Sequence, residues 1–485
     1  MVKYVYINFR GDNMVFCSIE FVSFFLPLLF AIYFVIPEKL RGIRNFVLLI
    51  FSIIFYGWGG PKFIILMVVS VLINYICGIF AGRRFRKEAR KGAVFFAVFC
   101  GIGLLCYFKY SGFIAEIINS LGVVVPIPEI TLPIGISFYT FQGLSYVIDV
   151  YRGQAEVQKN PLRLALYISL FPQLVAGPIV RYSTVEGEIG KRHENVKDFS
   201  EGAVRFMFGF AKKMLIANGM GSVADGIFAQ TSSLSASLAW VGAIAYTFQI
   251  YFDFSAYSDM AIGLGKMFGF HFLENFNYPY VSKTVSEFWR RWHISLSTWF
   301  RDYVYIPLGG NRKGIKRNII NLLVVWFLTG LWHGASWNFI FWGLWFFVIL
   351  IGEKYLWGDK LKKLPSFVGH IYTMFVVIIS WVLFRCVTMS ETAMFIKAMF
   401  GGGNGLWSNQ TLYWLLQYRY EFIIACIFSM PVKSIIQLAF FRRRKKAFFR
   451  LALNWCPIFI ALVLFAISYI ELVSGSFNPF IYFRF

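Results

Sequence analysis

The sequence predicts an all-α, polytopic integral membrane protein, and three observations predict it. Of 485 residues, 58% are hydrophobic and 20% aromatic, while only 15% are charged; a soluble domain carries about 25% charge. Mean hydropathy is +0.63. Apolar stretches recur along the whole chain, separated by short basic runs. A water-soluble fold of this length cannot cover so much apolar surface. That excludes a cytosolic enzyme, a disordered chain and a secreted disulfide scaffold. At about 20 residues per crossing there is room for about ten spans.

A first span runs from Phe21 to Ile36 and meets Lys39, Arg41 and Arg44. A second, Phe46 to Trp58, stops at Gly59-Gly60-Pro61, a tight break. A third, Phe63 to Phe80, enters the basic run Arg83, Arg84, Arg86, Lys87, Arg90 and Lys91. A fourth covers 93–108, and 118–134, rich in Val, Ile and Pro, reads as an irregular connection. Further apolar segments lie near 135–150, 162–181, 202–217, 237–251, 255–270, 318–331, 334–352, 367–387, 412–430 and 453–473. The shorter ones suit re-entrant or interfacial positions. No internal repeat or low-complexity tract is visible, and 14–485 reads as a single membrane domain. Residues 1–13 look unlike the rest, and Met14 opens a more natural first span, so 1–13 is expected to be a non-native upstream extension.

The formal charge is +23, from 47 basic and 24 acidic residues. The basic residues sit between apolar segments, the positive-inside pattern, with anionic lipid headgroups as their partner. No nucleic-acid recognition motif accompanies them, so no nucleic-acid partner is expected. Loops 37–45, 83–92 and 441–450 are expected in the cytoplasm, and both termini and the Gly59-Gly60-Pro61 hairpin outside. Seven cysteines are scattered without a CxxC pair, so neither a zinc site nor a disulfide framework is indicated.

Residues 284–303 (TVSEFWRRWHISLSTWFRDY) differ from the spans. Trp289, Trp292, Leu296, Trp299 and Tyr303 follow helical spacing on one face, and Arg291, Ser295, Thr298 and Asp302 on another. The pattern predicts one amphipathic helix lying in the membrane interface. His293 falls on a polar row of that helix. His333 lies deep in the apolar stretch LTGLWHGASWNFIFWGLW, where an ionisable group usually faces a protein interior or a cavity. Histidine suits proton transfer near neutral pH. The bland alternatives are a headgroup-facing His293 and a His333 that merely bonds a neighbouring helix. Asp253 and Asp259 sit in another apolar run, about 240° apart on a helix, and read as organisers of a polar interior, with a cation site as the competitor. His193 and Asp198 form H-x4-D, a two-position pattern that arises often by chance. No G-x-S-x-G elbow, H-E-x-x-H or Walker loop is present.

At FWRRWHISLSTWFRDYVYIPLGGNR and GLWHGASW the chain resembles the membrane-bound O-acyltransferase (MBOAT) family. PIGISFYTFQGLSYVIDVYRG (133–153), LFPQLVAGPIVRY (170–182), residues 251–289 and the closing PFIYFRF extend the resemblance over about 14–485. Within the family it is similar to the branch that acetylates alginate, and the LGGNR run favours that branch over the D-alanyl one.

The resemblance implies about ten to eleven membrane helices ringing a thin centre, with a tunnel between two funnels. It implies His333 and His293 as catalytic residues, with Trp332, Asp302 and Asn338 as substrate-binding candidates and no metal. His333 is the expected general base, while His293 either polarises the carbonyl or orients the acceptor. For one reaction centre to use both, they must line one cavity within about 10 Å of each other. No bound cofactor is implied; the donor substrate is acetyl-CoA or another acyl thioester. An extracytoplasmic SGNH-type partner, a polysaccharide acceptor and the bacterial inner membrane complete the expectation. The alternatives are D-alanyl or peptidoglycan acyl transfer by the same fold, or, from a different class, a transporter or flippase.

Overall fold

The computed structural model describes residues 14–175, 177–442, 447–475 and 480–481. The expected extension 1–13 and residues 443–446 of the last basic run lie outside them. Every regular element among the described residues is helical. The chain divides into two compact units, Met1–Phe199 with Gly265–Phe272 and Ser200–Leu264 with Leu273–Phe485.

Seven helical stretches among the described residues are long and apolar enough to cross a membrane: Glu38–Trp58, Lys62–Ala81, Lys87–Ser120, Gly314–His333, Trp337–Lys363, Ser366–Arg385 and Trp455–Val473. Phe21–Val35 is a shorter apolar helix. Large apolar side chains such as Phe24, Ile65, Phe95, Ile371 and Phe459 point outward from them, the surface a bilayer covers.

The first unit contains α1 (Leu26–Val35), α2 (Arg41–Trp58), α3 (Lys62–Ala81), α4 (Lys87–Leu105), α5 (Ser111–Ser120), α6 (Ile136–Arg152), α7 (Pro161–Ser169), α8 (Phe171–Leu174) and α9 (Tyr182–Gly190). Residues 123–133 are irregular, as their Pro and Val content predicts. The apolar segment 162–181 breaks after α7, because Pro172 starts a new short turn rather than continuing the old one. α6 is buried on nearly all sides, including Thr140, Gln142, Ser145 and Asp149. Basic residues stitch the helix ends together. Arg90 donates to the carbonyls of Ala81 and Tyr151 at 3.0 and 2.5 Å. Glu194, 4% exposed at its side chain, gathers Arg41, Arg44 and Arg192, with the Tyr33 hydroxyl donating to it.

The second unit holds most of α10 (Val196–Ala211), α11 (Asn218–Phe228) and most of α12 (Ala236–Met267). The two apolar segments expected at 237–251 and 255–270 are this one 32-residue helix. Asp253 and Asp259 do not break it because each finds a cation. Asp253, 1% exposed, pairs with Lys213 at 2.7 Å and accepts the Ile481 N–H at 2.7 Å. Asp259 pairs with Arg205 and Lys212 at 2.8 and 2.6 Å. Both carboxylates are therefore paired with cationic side chains of the protein. The H-x4-D pattern does not assemble. His193 faces Glu38 at 2.7 Å, with an 88% exposed side chain, while Asp198 accepts from Asn195 at 2.6 Å.

The rest of the second unit is α13 (Val285–Arg291), α14 (Ile294–Phe300), α15 (Gly314–His333), α16 (Trp337–Gly352), α17 (Gly358–Lys363), α18 (Ser366–Arg385), α19 (Met389–Met399), α20 (Asn409–Gln417), α21 (Arg419–Phe428), α22 (Val432–Arg442) and α23 (Ala447–Val473). The predicted single amphipathic helix over 284–303 is instead two short helices. They break at Trp292 and His293, where His293 takes the left-handed conformation with φ 43°.

Candidate functional site

Two hairpins build the site. The first is α15–α16. Its helices run antiparallel in backbone contact: a Cβ on Gly330 would stand 2.4 Å from the Phe339 carbonyl oxygen, and one on Gly343 would stand 2.3 Å from that of Trp326. Only glycine permits this approach. The tip is the non-helical Gly334 to Ser336, and His333 is the last residue of α15. His333 is 5% exposed. Its ring meets Trp332, Trp342 and Phe384 edge-on, with centroids at 5.0, 4.9 and 5.2 Å. The carbonyl end of α15 favours the positive charge an imidazole gains on taking a proton.

The second hairpin is 285–305, and it is re-entrant. Its first end is tied to the end of α16: the Glu353 carboxylate accepts the backbone N–H of Val285 and Ser286 at 2.6 and 2.9 Å. Its last end is tied beside the start of α15: Asn318 donates to the Tyr305 hydroxyl at 2.5 Å and accepts from Lys354 and Tyr355 at 2.8 and 2.7 Å. Both ends thus lie at the open end of α15–α16. Between them Trp289 packs on Trp326, Phe346 and Trp342, with centroids at 4.7, 4.9 and 5.7 Å. The tip, His293, packs on Trp332 at 5.9 Å. From Asn318 to Trp332 is about 21 Å of helix at 1.5 Å per residue, so the tip is carried well away from the charged end.

This corrects the interfacial placement. Trp289, Trp292, Trp299 and Tyr303 are buried against protein, and His293 is 1% exposed, so it faces no headgroup. Trp289 and Trp292 pack on Trp326, Trp342 and Trp381 of α15, α16 and α18 instead of resting on lipid. Broken backbone at such depth is tolerated where protein buries it.

Trp332 contacts both histidines, and its two ring contacts bound the imidazole centres to within 10.9 Å of each other, the 5.9 Å and 5.0 Å steps laid end to end. The other sequence candidates are placed differently. Asp302 forms a bidentate pair with Arg301 at 2.7 and 3.1 Å, about 13 Å along the helical path from His293. Asn338, 2% exposed, gives its amide nitrogen to the Cys386 carbonyl and the Thr392 hydroxyl at 2.8 and 3.0 Å. It thereby anchors the end of α18, next to Phe384. Sequence reasoning missed Asn275, 0% exposed and 3.2 Å from His293 Nδ1, and Phe254, edge-on to His293 at 4.6 Å. Neither carries a local signal, since both reach His293 only through the fold.

The model of the membrane-bound O-acyltransferase family matches residues 154–394. The chain is 38% identical to "Probable alginate O-acetylase AlgI" of Pseudomonas putida, covering 97% of this chain and all of that protein. It is 42% identical to the protein of the same name in Pseudomonas aeruginosa, over 80% of this chain and 75% of that one. It is 30% identical to the peptidoglycan O-acetyltransferase of Helicobacter pylori, over 96% of each. Taken with an all-helical fold rich in apolar spans, these matches mean that the chain belongs to the membrane-bound O-acyltransferase family and is a multi-pass membrane O-acyltransferase.

Proposed function

We propose that this enzyme takes an acetyl group from a cytoplasmic acyl thioester, such as acetyl-CoA, and passes it across the inner membrane for O-acetylation of an extracytoplasmic polysaccharide of the alginate type. The observation that supports this reading is the convergence of two hairpins on one tryptophan, since the Trp332 ring contacts both His333 and His293. An acceptor hydroxyl attacks the thioester carbonyl; a C–O bond forms and the C–S bond breaks. His333 takes the hydroxyl proton and returns it to the departing thiolate, help of a kind that contributes roughly 10²–10⁴-fold. Trp332 forms the wall between the two imidazoles and contacts the substrate. An SGNH-type protein outside is the proposed partner that finishes delivery to the polymer.

The supporting relatives act on alginate and peptidoglycan by name, so acetylation of peptidoglycan is the second reading. The test is His333→Ala in cells lacking their own copy. Base-released acetate is measured from purified exopolysaccharide and from peptidoglycan, with base-released D-alanine as the third channel. Loss of acetate from the exopolysaccharide alone supports the reading. Loss from peptidoglycan alone selects the second. Loss of D-alanine ester, or at least half the wild-type acetate retained everywhere, overturns both.

A further inference from the structure

Asn275 lies in the segment between α12 and α13, eighteen residues before His293, and is completely buried. Its side-chain oxygen Oδ1 accepts the backbone N–H of Ser295 at 3.1 Å and the Ser295 hydroxyl at 2.9 Å. The same oxygen stands 3.2 Å from His293 Nδ1. Its main-chain oxygen accepts the Ile294 N–H at 2.9 Å. One residue therefore grips three consecutive positions, 293 to 295, around the left-handed turn. That turn costs a non-glycine residue roughly 1–2 kcal/mol, and these contacts hold it.

The orientation of the Asn275 amide follows from its partners. A backbone N–H can only donate, so the atom that faces Ser295 is the amide oxygen. The same oxygen faces Nδ1, so Nδ1 is the nitrogen that carries the hydrogen. In the neutral ring the lone pair is then on Nε2. We infer that Asn275 is a positioning residue: it fixes His293 as the Nδ1–H tautomer, so that Nε2 accepts a hydrogen bond from a substrate O–H or N–H and does not donate to the thioester carbonyl. This rests on the proposed participation of His293, and it selects orientation of the substrate over polarisation of the carbonyl.

The groups packed on the ring are Phe254 of α12 at 4.6 Å, Trp332 of α15 at 5.9 Å and Ser295 of α14. The charged and titratable groups next to these are the Asp253–Lys213 pair, one residue before Phe254, and His333 beyond Trp332. Asn275→Asp keeps the acceptor and adds a negative charge against Nδ1. An opposite charge at this range raises an imidazole pKa by about 1–3 units. As pH falls, the ring of that variant gains a proton on Nε2 and loses its acceptor.

The experiment uses the full-length protein in detergent with acetyl-CoA as the donor probe, reading kcat and KM between about pH 4 and 8.5, a range that extends well below ordinary histidine titration. Asn275→Leu is expected to lower kcat by about 10²-fold with little change in KM, as a misoriented group does. Asn275→Asp is expected to work near the upper end and to lose activity, relative to wild type, as pH falls. Asp caps a helix turn as well as Asn, so a purely structural residue would leave the Asn275→Asp profile parallel to wild type; that result overturns the inference. His293→Ala separates the two claims. Full activity in His293→Ala sinks the participation of His293, whereas an inactive His293→Ala beside an unshifted Asn275→Asp sinks the tautomer assignment alone.

Discussion

Gly343→Ala tests whether the site depends on the backbone contact between α15 and α16. The added Cβ stands 2.3 Å from the Trp326 carbonyl oxygen, whereas ordinary contact begins at 3.4 Å. A carbonyl in a helix cannot swing aside like a side chain, so the helices must part by about 1 Å, and overpacking of this kind costs typically 1–3 kcal/mol. The displacement falls next to Trp342, whose ring holds His333 at 4.9 Å. A misplacement of about 1 Å costs on the order of 10²-fold in rate. The expected result is an inserted, monodisperse protein with acetyl transfer reduced about a hundredfold and a lowered melting temperature. Gly103→Ala is the control, since a Cβ there meets nothing within 4 Å. The assay is base-released acetate per mole of membrane protein, with thermal unfolding in detergent. Gly343→Ala activity within about twofold of the Gly103→Ala control would refute the claim that this contact sets the position of His333.

His333→Gln keeps volume and some hydrogen bonding but takes no proton near neutral pH, so it should be as inactive as His333→Ala; acetyl release from either would contradict the base assignment. A cysteine at Gly60 should react with an impermeant thiol reagent in intact cells and one at Gly92 should not, and the reverse labelling would invert the orientation. Asp253→Asn strands the buried Lys213 and should cost about 3–5 kcal/mol, as breaking buried pairs does; Lys213→Met with Asp253→Leu should recover most of the lost melting temperature. Burial alone would raise the Glu194 carboxyl, but hydrogen bonds from Arg41 and Tyr33 and the charge of Arg192 hold it at about 2, below its ordinary 4.5. A depressed folded value contributes stability above the unfolded pKa and loses it as pH falls through the folded one. Wild type should therefore melt above Glu194→Gln at neutral pH, with the gap closing between pH 4.5 and about 2; a gap independent of pH would assign the difference to packing.

Composition and periodicity were enough to name the solvent of this protein and much of its helix list. Hydropathy and charge between them place α2, α3, α15, α16 and α18 within a few residues of the observed bounds, because a helix that faces lipid must be apolar over its whole length. The motifs around His293 and His333 marked two residues that both pack on Trp332. Their approach to Trp332 depends on long-range packing. The 3.6-residue period across 284–303 reports which side chains share a face; it says nothing about one residue turning to φ 43°, and that turn is held by Asn275 from eighteen residues away. The same period made Trp289 and Trp292 look like a lipid-facing stripe, since a core and a bilayer demand the same apolar side chains. Only the placement of Trp326, Trp342 and Trp381 against them shows that the stripe packs on protein. The carboxylates of Asp253 and Asp259 were legible as costly, but their partners Lys213, Arg205 and Lys212 come from a neighbouring helical stretch. Pairing energy depends on distance in space, and spacing along the chain does not encode it.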